Sequence, residues 1–180
     1  MKYWGILCLL CLGLMGCGYQ LRDTREPVGI QIESLAIPLF SSTSSEMGFE
    51  ADFTTVIRQQ FISNTRIPLA PEEKAHMVLI GKIQDVKTDA VAYRGQDVTV
   101  GGYTTTYNVT SSRRLEVRLD VQLLDKRSGK VIWRDSGMRS QSSYLVSSDP
   151  LETRYNERRA LKSIASDLAK IIYVRTMERW

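Results

Sequence analysis

The sequence predicts an α+β, two-layer domain: a four-stranded mixed or antiparallel sheet with two helices on one face, in the order β-α-β-β-β-α. Three observations lead there. Leu115, Val117, Leu119, Val121 and Leu123 alternate with Glu116, Arg118, Asp120 and Gln122, the period of a strand with one buried face. Two other stretches, Phe49 to Phe61 and Leu161 to Ile172, repeat apolar residues at helical intervals. A sheet with one fully polar face cannot be sandwiched between helices, so both helices must cover the same face.

The elements follow in order. Val28 to Pro38 reads as a first strand with Ile30, Ile32, Leu35 and Ile37 as its apolar positions and a bulge near Ser34. Ser41 to Glu46 reads as a helix start, with Thr43 and Glu46 at capping-box spacing. Phe49, Phe53, Val56, Ile57 and Phe61 form that helix's buried stripe, Arg58, Gln59 and Gln60 face solvent, and Asn64 closes it. Ile67 to Pro71 is a stiff connection with a short strand-like segment. Met77 to Val86 is a second strand whose pattern continues through Val91 and Tyr93. Residues 95–112, rich in Thr, Tyr and Val around Gly101-Gly102, are β-prone and project beyond the core, with no apolar face to bury. Leu115 to Leu123 is the third strand, residues 125–130 a hairpin loop, and Val131 to Val146 the fourth strand. Strands two to four should form an antiparallel meander; the first connects to the second through a helix, which allows a parallel pairing but does not set the strand order. Asp149-Pro150-Leu151-Glu152 starts the last helix, with Asp149 as cap, Pro150 in the first position and Glu152 closing the box.

The amino terminus sets the compartment. Met1-Lys2 is a short positive region, and Tyr3 to Leu14 an apolar run too short for a hydrocarbon core that needs about 20 helical residues. Leu14-Met15-Gly16-Cys17 resembles the lipobox of bacterial lipoproteins. That resemblance implies cleavage before Cys17, lipid on its sulfur and an acylated new amine, and Gly18 points to the outer membrane. The expected divisions are a cleaved signal over 1–16, a lipidated tether over 17–28 and a domain over 29–180. Two or more acyl chains hold a membrane stably where one does not.

Composition excludes several function classes. Cys8 and Cys11 lie in the signal and Cys17 is taken by lipid, so no thiol remains for a disulfide, a zinc site or catalysis. His76 is the only histidine and sits at the start of a strand, where a structural role is expected. No glycine-rich phosphate loop, metal cluster or serine elbow is present. The expectation is therefore no catalytic residues, no metal, no cofactor and no enzyme. Without the signal the chain holds 23 basic and 20 acidic side chains, too even a balance for a nucleic-acid footprint.

The opening of the expected mature chain, Cys17-Gly18-Tyr19-Gln20-Leu21-Arg22-Asp23, resembles that of the LptE family of lipopolysaccharide-assembly lipoproteins, which begins Cys-Gly-aromatic-x-Leu-Arg. The strand ending Ile37-Pro38, the helix after it, the strand leading into Gly81-Lys82-Ile83 and the order of elements fit as well. The resemblance implies a non-enzymatic outer-membrane lipoprotein, lipid-anchored on the periplasmic side. It would sit inside the LptD β-barrel, help that partner fold, and contact lipopolysaccharide during insertion into the outer leaflet. It also implies lipopolysaccharide contacts at Arg94, before Gly95, and at Arg154, ahead of Asn156-Glu157. The meander places Arg113 and Arg114 at the same edge of the sheet, so four arginines are expected to converge on lipid A phosphates. The alternative is a lipoprotein adaptor or pilot of another envelope complex, such as a secretin, which would share the anchor and a small α+β domain.

Overall fold

The computed structural model describes residues 32–43 and 48–177. The expected signal, Cys17, Gly18, the tether, residues 28–31 of the first strand and Glu46 lie outside the described residues. The elements are β1 (Leu35–Ala36), β2 (Ser41–Ser42), α1 (Glu50–Asn64), β3 (Met77–Val100), β4 (Tyr103–Asp125), β5 (Val131–Leu145) and α2 (Pro150–Met177). They form the expected α+β fold. β3, β4 and β5 make an antiparallel meander, and β1 runs parallel to β3. The sheet has five strands rather than four, because β2 also pairs with β3 in parallel, Ser41 with Lys82 and Ser42 with Ile83.

That pairing corrects the first helix start. Ser41 and Ser42 are strand, and the Thr43 hydroxyl donates to the Ile83 carbonyl at 3.2 Å instead of capping a helix. The helix begins at Glu50, after Phe49, with no side-chain cap. Its first turn carries Glu50 and Asp52, which suit the positive end of the helix dipole. The expected first strand is only two residues long in the described chain. Ser34 stands just ahead of it: its carbonyl accepts from Met77 N at 3.0 Å, the first bond of the parallel pairing, and its hydroxyl accepts from His76 N at 3.0 Å. The strand-like connection holds as an isolated bridge, Leu35 to Leu69. Arg58 is not simply solvated, since its guanidinium donates to the Ile37 carbonyl at 2.8 Å.

The core lies between the helices and one face of the sheet. Leu115, Val117, Leu119, Val121 and Leu123 are buried, and so are Phe53, Ile57 and Phe61 of α1 and Ile164, Leu168 and Ile172 of α2. The two helices meet where Tyr173 packs edge-on to Phe61, ring centres 5.6 Å apart, and its hydroxyl donates to the Asn64 carbonyl. The Phe40 ring packs against Gly81, where a Cβ would lie 2.0 Å from it. The Phe40 amide donates to the buried Thr54 hydroxyl, which in turn donates to the Glu50 carbonyl. Thr54 is thus a fully satisfied buried polar group. His76 is structural: its Nδ1 accepts from Glu33 N at 3.4 Å, and its Nε2 lies 3.8 Å from Asp125.

At the start of α2, Asp149 caps as expected, accepting from Leu151 N at 2.8 Å. The return bond comes from Ser147 rather than Glu152, the Asp149 amide donating to the Ser147 hydroxyl at 3.2 Å. Among the described residues no helix is long and apolar enough to cross a membrane.

Candidate functional site

β3 and β4 run far past the rest of the sheet. β5 ends at Leu145, opposite Ser112, while the β3–β4 ladder continues to Val100 and Tyr103 at the Gly101-Gly102 turn. Both turn glycines have positive φ, 60° and 83°, as the tight two-residue hairpin requires. The result is a two-stranded arm, residues 93–110, beyond the core. It leaves the core through register shifts between Ala90 and Ala92 and between Ala92 and Tyr93. Bulges of this kind re-aim a ribbon.

The expectation that 95–112 has no apolar face is overturned by the register. Val100 pairs with Tyr103, Val98 with Thr105, Gln96 with Tyr107 and Arg94 with Val109. Directly paired residues share a face, and so do residues two apart along a strand. Val98, Val100, Tyr103, Tyr107 and Val109 therefore lie on one side. Exposure reaches 73% at Val100 and 82% at Tyr103, Val98 and Tyr107 are exposed as well, and Val109 at the root is half-buried. Arg94 shares that face and is its only charged residue. The other face is polar: Thr99 and Thr104 share a 2.8 Å hydroxyl bond, and Thr106 donates to Asp97 at 2.6 Å. A sequence scan misses this because the apolar positions keep one parity on β3 and the other on β4, and only the turn aligns them.

The root of the arm is pinned to the end of β5 and to α2. The Ser112 hydroxyl donates to the Tyr144 carbonyl at 3.2 Å, and Val146 N to the Ser111 carbonyl at 3.0 Å. Asn156 of α2 donates to the Leu145 carbonyl at 3.2 Å, and the Tyr144 hydroxyl donates to Glu157 at 3.3 Å. Burial, followed by the Glu157 charge, raises the Tyr144 pKa, and Arg113 opposes the shift. A shallow groove of about 330 Å³ lies alongside, lined by Ser142, Tyr144, Asn156, Arg159 and Ser163 among others.

The four expected arginines are placed as follows. Arg113 pairs in register with Ala90 and Tyr144, on the helix side of the sheet. Arg114, the next residue, points to the opposite, polar face. Arg94 is four register positions further out than Ala90 on β3, about 13 Å at strand spacing. Arg154 is exposed on the second turn of α2, one turn before Glu157. Arg113 and Arg154 thus share the Tyr144–Glu157 neighbourhood, while Arg94 belongs to the arm and Arg114 to the open face.

That open face carries mixed charge. Asp120 accepts from Arg134 at 3.0 and 2.6 Å, and this bond holds its carboxyl below the ordinary value. Arg118 stands opposite Arg139 and 3.9 Å from Glu116.

No family model and no curated protein matches the chain. Its fold is similar to solved structures at low sequence identity. A hypothetical protein from Chlamydia trachomatis is 11% identical, with a TM-score of 0.51 over 83% of this chain and 100% of that one. A minor lipoprotein from Acinetobacter baumannii is 14% identical, with a TM-score of 0.48 over 83% and 93%. The rare lipoprotein B from Shewanella oneidensis is 14% identical, with a TM-score of 0.42 over 79% and 93%. These likenesses are of fold.

Proposed function

We propose that the chain is a lipid-anchored envelope protein that acts by binding, as the LptE resemblance implies. In this reading it is held at the outer membrane through Cys17, fills and helps assemble the LptD β-barrel, and contacts lipopolysaccharide on its way to the outer leaflet. It performs no chemistry and uses no cofactor. The observation that carries the reading is the shape of β3.

One strand of 24 residues spans about 80 Å when straight. The described chain begins beside its first residue, since Glu33 bonds His76 and Leu35 pairs with Met77. The arm tip lies at its far end. A bilayer with its headgroups is about 40–45 Å thick. A domain tethered at one membrane surface can therefore reach the opposite leaflet with its arm, provided a polar passage surrounds it. The interior of a transmembrane barrel is such a passage, with polar side chains facing inward. The open face of the sheet and the Thr-rich face of the arm suit those walls.

The test is affinity purification of the tagged full chain from envelopes. A large β-barrel protein as the stoichiometric partner is the expected result. A secretin ring or murein instead would replace this reading with the adaptor alternative.

A further inference from the structure

We infer that the two faces of the arm have different jobs, and that the Val98–Val100–Tyr103–Tyr107–Val109 face is a contact for the acyl chains of an anionic lipid. Three observations carry this. The face carries exposed apolar residues from Val98 to Tyr107, with Val98 at 40%, Tyr107 at 56% and the tip residues higher, and only Gln96 and Thr105 interrupt them. Residues 98–112 carry no charge at all. Arg94, at the root of the same face, is its one charge and is positive, the complement of a phosphate.

A polar barrel wall offers nothing to the apolar face. It does match the opposite face, where Asp97, Thr99, Thr104 and Thr106 are already held in place by hydrogen bonds. The strip runs about 20 Å from Arg94 to Val100 at strand spacing, enough for the acyl chains of one leaflet, which occupy about half of a hydrocarbon core of about 30 Å. A phosphorylated, acylated lipid can therefore lie along it with its phosphate at Arg94 and its chains toward Tyr103. The free backbone edges of the arm keep it from entering hydrocarbon itself, so the lipid comes to the strip rather than the strip to the bilayer.

This inference rests on the lipopolysaccharide reading, and the experiment separates the two. The probes are rough lipopolysaccharide and the same material stripped of acyl chains by alkali. Val98→Thr with Val100→Thr keeps strand propensity while removing apolar surface. In the full chain it should weaken binding of intact lipopolysaccharide about tenfold and leave the deacylated probe unchanged. Tyr103→Ser should act in the same direction, and Thr99→Ser on the other face should not. Arg94→Gln should weaken both probes. Hydrogen exchange over 93–110 verifies that the arm is still paired in each variant. Unchanged affinity in the paired Val variant, beside a weakened Arg94→Gln, overturns the acyl assignment alone. Equal losses for both probes also overturn it. Loss of the barrel partner with lipopolysaccharide affinity intact would make the strip a protein interface. Wild-type protein that binds neither probe overturns the lipid reading and this inference together.

Discussion

Gly81 shows how one missing methyl sets the packing around it. Phe40 occupies the space that a Cβ would fill at 2.0 Å, and Phe40 is also tied through Thr54 to the start of α1. Gly81→Ala should destabilise the protein by about 3 kcal/mol, the upper range for overpacking a core. Phe40→Leu should recover part of that loss in a double-mutant thermal unfolding cycle. Asp120 makes a prediction in pH. Its folded pKa is lowered by the Arg134 hydrogen bond, whereas an unfolded Asp titrates near 3.9. The stabilisation is present above that value and is lost as pH falls through the lower, folded one. Asp120→Asn should cost less than about 1 kcal/mol near neutrality, and its melting temperature should fall less than the wild type's between about pH 5 and about pH 3. Arg94 and Arg154 were legible as residue types, but not their separation. Arg94→Asp with Arg154→Asp should leave the circular dichroism spectrum unchanged and weaken lipopolysaccharide binding. Wild-type affinity should fall with salt, since exposed ion contacts are screened, and binding measured at two ionic strengths checks both.

At the scale of elements, β4 was the most legible part of the chain. Leu115 to Leu123 show the same alternation in burial that they show in sequence. Leu119→Asp places an unpaired carboxylate at a position with no exposure and should cost several kcal/mol, enough to unfold a domain. Arg118→Asp, one residue earlier on the polar face, should shift stability by about 0.5 kcal/mol or less. Chemical denaturation of the two variants side by side is the measurement, and equal losses would mean the faces are misassigned. The start of α1 was less legible, for a physical reason. Ser, Ser and Thr at 41–43 suit a cap locally, but the free edge of β3 offers them backbone partners at Lys82 and Ile83. A tertiary pairing therefore overrides the local signal. The arm was legible as extended chain, while its apolar face depends on a register that only the Gly101-Gly102 turn defines.

At the scale of the whole molecule, the start of the described chain and the tip of the arm stand at opposite ends of one strand. Cys17→Ser should abolish incorporation of a tagged fatty acid and leave the precursor uncleaved by the lipoprotein peptidase, while the folded domain keeps its melting temperature. Metabolic labelling and the size of the product on a gel decide this. The arm has another consequence. Past the end of β2, β3 turns a bare edge outward, and past Ser112 so does β4. The β4 edge from Tyr103 to Ser112 carries no charge, and an uncharged edge beside exposed valines and tyrosines is a template for sheet-to-sheet aggregation. With this hairpin bare the protein should be poorly soluble and readily cleaved by proteases, which a solubility assay and limited proteolysis check. If the proposed barrel sheathes the hairpin, the abundance of the protein in the cell should follow that of the barrel, which would set the stoichiometry of the pair without dedicated regulation.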